Sequence, residues 1–158
     1  MGMVGGPRAV TDGDGTLPPS DPGAYGHWVT DTVRFSDQDA NGHINNVAMA
    51  AYVETGRLAF GRVMHSSGRA DTDFILARLA IDYRAEGHYP GEIRVGTRVL
   101  RVGRTSATLG HGVFKDGVCI ASAECVVVHR RDGRNAPIEG EMRARVEGLM
   151  RPAPEGTG

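Results

Sequence analysis

The sequence predicts an α+β domain in which one amphipathic helix lies against a five-stranded antiparallel sheet. Three observations carry this. The stretch Asn46 to His65 is rich in Ala and Met, lacks proline and repeats its bulky residues at helical spacing. One strand-like run precedes it and four follow in direct succession. Asp116-Gly117 and Asp132-Gly133 bound the last of these runs, and such pairs make tight hairpin turns rather than parallel crossovers. A lone helix and a run of hairpin-connected strands give a sheet with the helix on one face.

The first strand is Trp28 to Phe35, with β-branched alternation. A polar turn, Ser36 to Asn45, follows. In the helix, Met49, Val53, Phe60 and Val63 or Met64 form a bulky stripe. Asn45 or Asn46 can cap its start, and Ser66-Ser67-Gly68 is expected to end it. Gly56 and Gly61 weaken it by roughly 1 kcal/mol each relative to Ala, which makes sense if the helix packs tightly on the sheet. The remaining strands are expected at Asp73 to Arg84, Glu92 to Val102, Arg104 to Lys115 and Val118 to His129. The last is the most apolar and is expected at the centre. Glu139 to Met150, after Pro137, reads as a short terminal helix. Exposed sheet edges must be covered or paired, which favours a dimer.

Glycine is abundant, 23 in 158 residues with 8 prolines, and much of it lies near the ends. Residues 1–26 and 151–158 are therefore expected to be disordered tails, leaving a domain at 27–150. Eighteen basic residues against 19 acidic give a net charge of −1, which argues against nucleic-acid or membrane-surface binding. The two cysteines, Cys119 and Cys125, are six residues apart on one expected strand, beyond disulfide reach. Free thiols, together with no apolar run suited to a signal peptide or a membrane span, lead to the expectation of a cytoplasmic protein.

The densest polar cluster is Asp37-Gln38-Asp39-Ala40-Asn41-Gly42-His43-Ile44-Asn45-Asn46, just before the helix. A helix N-terminus offers free N–H groups and a positive dipole end to an anion. A carbonyl oxygen gaining charge during acyl transfer is such an anion, and a neighbouring carboxylate can attack or activate water. Gly42 would permit positive φ or close backbone approach. Asp, Asn and Gly are equally what capping and turn formation require.

The order of the residues separates these readings. The run Val33 to Asn46 (VRFSDQDANGHINN), with Tyr52, Glu54 and Arg57 behind it and Gly103-Arg104-Thr105-Ser106 further on, resembles acyl-CoA thioesterases of the 4-hydroxybenzoyl-CoA thioesterase type, in the hotdog-fold superfamily. The resemblance covers about residues 27 to 150. It implies a long central helix wrapped by the sheet, a homodimer or homotetramer with the active site at a subunit interface, an acyl-CoA substrate, and no metal or other cofactor. Asp39 matches the catalytic carboxylate and the backbone N–H of Asn46 the oxyanion donor. Gly42, His43 and Asn45 match loop-ordering positions. Glu54, fifteen residues after Asp39, is the second choice for catalyst, because another branch of the superfamily carries its acid on the helix. Its simpler reading is an i,i+3 pair with Arg57. Arg104, Thr105 and Ser106 are candidates for substrate or coenzyme A contact. His129-Arg130-Arg131 is read instead as solvated charge at a strand end. The histidines, His65, His88 and His111 among them, show no metal-ligand spacing in the sequence and are expected to be structural or exposed. Two rival readings remain: a hotdog enoyl-CoA hydratase or dehydratase, and a non-catalytic acyl-CoA-binding protein.

Overall fold

A computed structural model describes residues 18–65 and 72–150. In chain order the main elements are β1 (His27–Thr32), α1 (Asn46–Met64), β2 (Thr72–Tyr83), β3 (Glu92–Val102), β4 (Ser106–Lys115), β5 (Val118–Arg131), β6 (Arg134–Asn135) and α2 (Gly140–Gly148). The five longer strands form one antiparallel sheet in the order β1-β3-β4-β5-β2, and the two-residue β6 adds to β5 as a sixth. The expected class, α+β with an antiparallel sheet, holds, and the arrangement is consistent with a hotdog fold. The strand count rises from five to six because the chain turns at Asp132-Gly133 and pairs briefly with β5. The middle strand is β4, not the more apolar β5. Hydrophobicity reports burial on both faces, and β5 has that burial while lying one place from the middle.

Local chemistry explains the elements. Asp116 and Gly117 both take positive φ, 50° and 78°, as a tight hairpin between β4 and β5 requires. Asp132 and Gly133 do the same. The Asn45 side chain caps α1 by accepting from Ala48 N at 2.7 Å. Met49, Val53, Phe60 and Met64 are each no more than 3% exposed; burial of such side chains contributes about 1.5–3 kcal/mol apiece as an upper figure. Of the two alternatives in the stripe, Met64 faces the core. Gly56 is a contact point with the sheet, since a Cβ there would stand 2.5 Å from Val95 Cγ1. Gly61 has no such neighbour, so close packing explains only the first of the two helix glycines.

The core divides along α1. Under its N-terminal half Met49, Tyr52 and Val53 meet Ile93, Val95, Val113 and Ile120. Under its C-terminal half Phe60 and Met64 meet Val99, Ala107, Val127 and, from the α2 end, Ile138 and Val146. Among the boundary expectations, residues 1–17, 66–71 and 151–158 lie outside the described residues, and with them most of the expected tails and the Ser66–Gly68 stop. Within residues 18–26, placed by the sequence in the N-terminal tail, Ala24 and Tyr25 are buried. Tyr25 is 5% exposed, meets Trp28 and Phe114 edge-on, and donates its hydroxyl to Pro19 O at 2.7 Å. Gly96 and Gly112 leave room for that ring; a Cβ on either would come within 2.7 Å of it. No helix among the described residues is long and apolar enough to cross a membrane.

Candidate active site

The segment between β1 and α1 is a small closed loop. Asp37 anchors its first end. Its Oδ2 accepts from Arg34 N at 2.8 Å and from the Tyr52 hydroxyl at 2.6 Å, and its carbonyl accepts from Asn45 N at 2.8 Å. Burial, then this hydrogen bond, pushes the Tyr52 hydroxyl pKa above its ordinary value. Tyr52 is fully buried on α1, so Asp37 ties the loop to the helix it precedes. Sequence reasoning quoted Asp37 and Tyr52 in the motif without giving either a task. The signal was the fifteen-residue spacing between an acid and a helical tyrosine.

Asp39 sits at the exposed tip. Its Oδ1 accepts from Asn41 N at 2.8 Å and His43 N at 3.1 Å, and its backbone N–H donates to His43 O at 2.8 Å. These N–H groups, His43 first and Asn41 second, hold the carboxyl below the usual Asp range, so it is ionised at neutral pH. Gly42 closes the turn at φ 76°, a conformation glycine adopts without strain. At the far end of the loop Asn45 caps α1. Its side chain takes Ala48 N and its carbonyl takes Met49 N. Among the described residues no protein acceptor is recorded for the N–H of Asn46 or Val47, the first-turn donors available to an anion.

Glu54 is not gathered into this loop. Its side chain is 61% exposed and meets Arg57 at 3.3 Å, the i,i+3 pair expected as the simpler reading. Glu54 shares the outward side of α1 with Val47 and Leu58, which are 80% and 52% exposed.

Arg104 and Thr105 lie in the β3–β4 connection and Ser106 opens β4; Ile138 N donates to Arg104 O at 2.7 Å and His129 N to Thr105 O at 2.8 Å, while Gly103 N to Ser106 O at 2.7 Å closes the turn. This connection is at the α2 end of the core, whereas the Asp39 loop packs at the N-terminal end of α1. The chain therefore brings Asp39, Gly42, His43, Asn45 and Asn46 together and leaves Arg104 to Ser106 at the opposite end.

The basic run at the end of β5 is corrected in part. His129 is fully buried against Phe74, with Nδ1 within 3.1 Å of the Ala136 and Pro137 carbonyls. It serves the core, while Arg130 reaches the Gly133 carbonyl. A second buried polar group is the chain Thr97–His111–Cys125, with Thr97 Oγ1 to His111 Nδ1 at 2.9 Å and His111 Nε2 to Cys125 Sγ at 3.3 Å. Burial drives the His111 pKa down to about 3 and the Cys125 thiol up to about 11. A neutral imidazole beside a protonated thiol is a structural pair and not an activated nucleophile. Both cysteines are free.

The described residues also bring together side chains that the sequence keeps apart. His43 and His88 face each other across an isolated antiparallel bridge, and Glu86 Oε2 lies 3.4 Å from His43 Nε2. Their separation along the chain, more than 40 residues, hid this grouping.

Comparison with known proteins agrees with this architecture. Residues 33–146 match the thioesterase-like superfamily. A thioesterase from Thermus thermophilus, solved with coenzyme A and Zn, is 30% identical, with a TM-score of 0.71 over 82% of this chain and 98% of that one. A protein of the thioesterase superfamily from Jannaschia is 29% identical, with a TM-score of 0.70 over 79% and 83%. A predicted thioesterase from Bacillus stearothermophilus is 25% identical, with a TM-score of 0.70 over 80% and 98%. No curated protein matches the sequence. A match spanning the loop, α1 and β2 to β6 assigns the family, and the chain belongs to the thioesterase-like superfamily.

Proposed function

We propose that this chain is a hotdog acyl-CoA thioesterase of the 4-hydroxybenzoyl-CoA type, hydrolysing an acyl-CoA thioester to the free acid and coenzyme A. The observation that carries the reading is an ionised, solvent-facing Asp39 on a loop that ends at a capped helix start with unpaired N–H groups. Asp39 either attacks the thioester carbonyl, giving a mixed anhydride that water then opens, or deprotonates the attacking water. Both routes need the carboxylate ionised. The oxyanion is received by the backbone N–H of Asn46 at the positive end of α1. A dehydratase-like Asp–His pair is not favoured, because the Asp39 carboxylate is held by backbone N–H groups and the His43 ring turns to Glu86.

The coenzyme A in the structure of the Thermus protein supports this substrate class. Its phosphates call for local positive charge, which Arg104 supplies, beside Thr105 and Ser106. The separation of these residues from Asp39 supports a homodimer. β2 is an edge strand with Ile75, Leu76, Leu79 and Tyr83 between 37% and 53% exposed, a surface that a second copy would cover. β2 starts beside Arg131, at the Ser106 end, and finishes beside Ala121, next to the segment that bridges to His43. Antiparallel pairing of two β2 edges about a two-fold axis would bring the Arg104–Ser106 end of one protomer toward the Asp39 loop of the other. A thiol-release screen across short, long, branched and aromatic acyl-CoAs tests the function. Turnover of at least one class supports the reading; binding without release of thiol across the series would leave an acyl-CoA-binding protein.

A further inference from the structure

We propose that His43, Glu86 and His88 form a binding site for a divalent transition-metal ion, Zn²⁺ being the species that suits two imidazoles and a carboxylate. One ligand atom from each residue lies within 4.8 Å of the other two. The distance from His43 Nε2 to Glu86 Oε2 is 3.4 Å. Zn–N and Zn–O bonds of about 2.0–2.2 Å at tetrahedral angles set their ligand atoms roughly 3.3–3.5 Å apart, so this pair already has the separation of two ligands on one ion.

The backbone supports the site from both sides. Ile44 N donates to Gly87 O at 2.8 Å, which locks the two segments in register, and a Cβ on Gly87 would stand 2.8 Å from Ile44 Cδ1. Glycine between Glu86 and His88 therefore permits the approach. His88 Nδ1 lies 3.2 Å from the Gly42 carbonyl. A carbonyl only accepts, so Nδ1 carries the proton and Nε2 of the neutral ring keeps its lone pair. Metal-ligating histidines are commonly oriented in this way, by donating the other ring N–H to a backbone carbonyl. Glu86 and His88 are exposed and His43 is half-buried, which gives an ion an entry path. Three protein ligands leave a fourth position to water or another small ligand.

Occupancy would clip the Asp39 loop to the β2–β3 connection, because His43 N donates to Asp39 Oδ1. The site does not depend on the thioesterase reading, since its ligands are complete without a substrate.

The test is calorimetric titration of the metal-stripped full chain with ZnCl₂. The expected result is one Zn²⁺ per chain, with affinity at least about tenfold weaker in Glu86→Gln and in His88→Ala, and unchanged in Cys119→Ser. Glu86 is a surface position, 67% exposed, so its variant keeps the fold. A wild type that takes up no Zn²⁺ overturns the proposal. So does binding that survives in both ligand variants, or binding lost in Cys119→Ser.

Discussion

The buried Thr97–His111–Cys125 chain makes stability depend on pH. His111 is 1% exposed, and burial, with a smaller contribution from the Arg57 charge, lowers its pKa from 6.5 to about 3. The folded protein keeps the ring neutral while the unfolded chain protonates it below pH 6.5, so the unfolded state binds more protons in that window. Stability is then complete above about pH 6.5 and falls as pH drops toward 3. Two-state linkage with these two pKa values gives a loss of about 2 kcal/mol between pH 7.5 and pH 5, and close to 5 kcal/mol at full protonation as an order-of-magnitude ceiling. The assay is urea unfolding at both pH values for wild type and His111→Gln, with m compared to check that the transition is the same. His27 and His65 are also lowered by burial and add loss of the same sign; the variant isolates the share due to His111. The expected result is a pH dependence about 2 kcal/mol shallower in His111→Gln. Equal pH dependence in the two proteins would mean that the fold does not hold the His111 ring neutral.

Three further outcomes are expected. Backbone N–H groups hold the free-enzyme Asp39 carboxyl below its ordinary range, so kcat/KM for thioester hydrolysis has no acid limb between about pH 5 and 7; a limb centred near pH 6 would assign the essential base elsewhere. Leu79→Arg on the exposed face of β2 shifts the protein to monomer in analytical ultracentrifugation and lowers turnover, whereas an unchanged sedimentation coefficient removes β2 from the interface. Gly56→Ala loses about 1–3 kcal/mol to overpacking against Val95, despite the better helix former, and Val95→Ala restores most of it in the double variant; a Gly56→Ala protein of equal or higher Tm contradicts the close approach of α1 to β3.

What the sequence disclosed and what it hid have physical reasons. Periodicity is local, so α1, β3 and the Asp116-Gly117 hairpin were readable to within a residue or two. Strand order is not local: β5 is the most apolar strand, yet β4 lies between β3 and β5 because consecutive hairpins place it there. The loop motif offered positive φ or close approach at Gly42 and a cap at Asn45 or Asn46, and the structure takes the positive φ and the Asn45 cap. The Asp37–Tyr52 tie and the His43–Glu86–His88 grouping rest on side-chain contacts across 15 and more than 40 residues, which periodicity does not report. Tyr25 was lost among glycine and proline; its burial depends on a hollow made by Gly96 and Gly112 on strands far along the chain.

The proposed role of Asp39 in thioester hydrolysis is open to direct measurement. The direct measurement is kcat on the best acyl-CoA from the screen for wild type, Asp39→Asn and Glu54→Gln, each shown to keep wild-type secondary structure. The expected result is a fall of at least about 100-fold in Asp39→Asn, with Glu54→Gln staying near wild type because Glu54 is an exposed partner of Arg57. Full activity in Asp39→Asn with activity abolished in Glu54→Gln would move the catalytic acid onto α1.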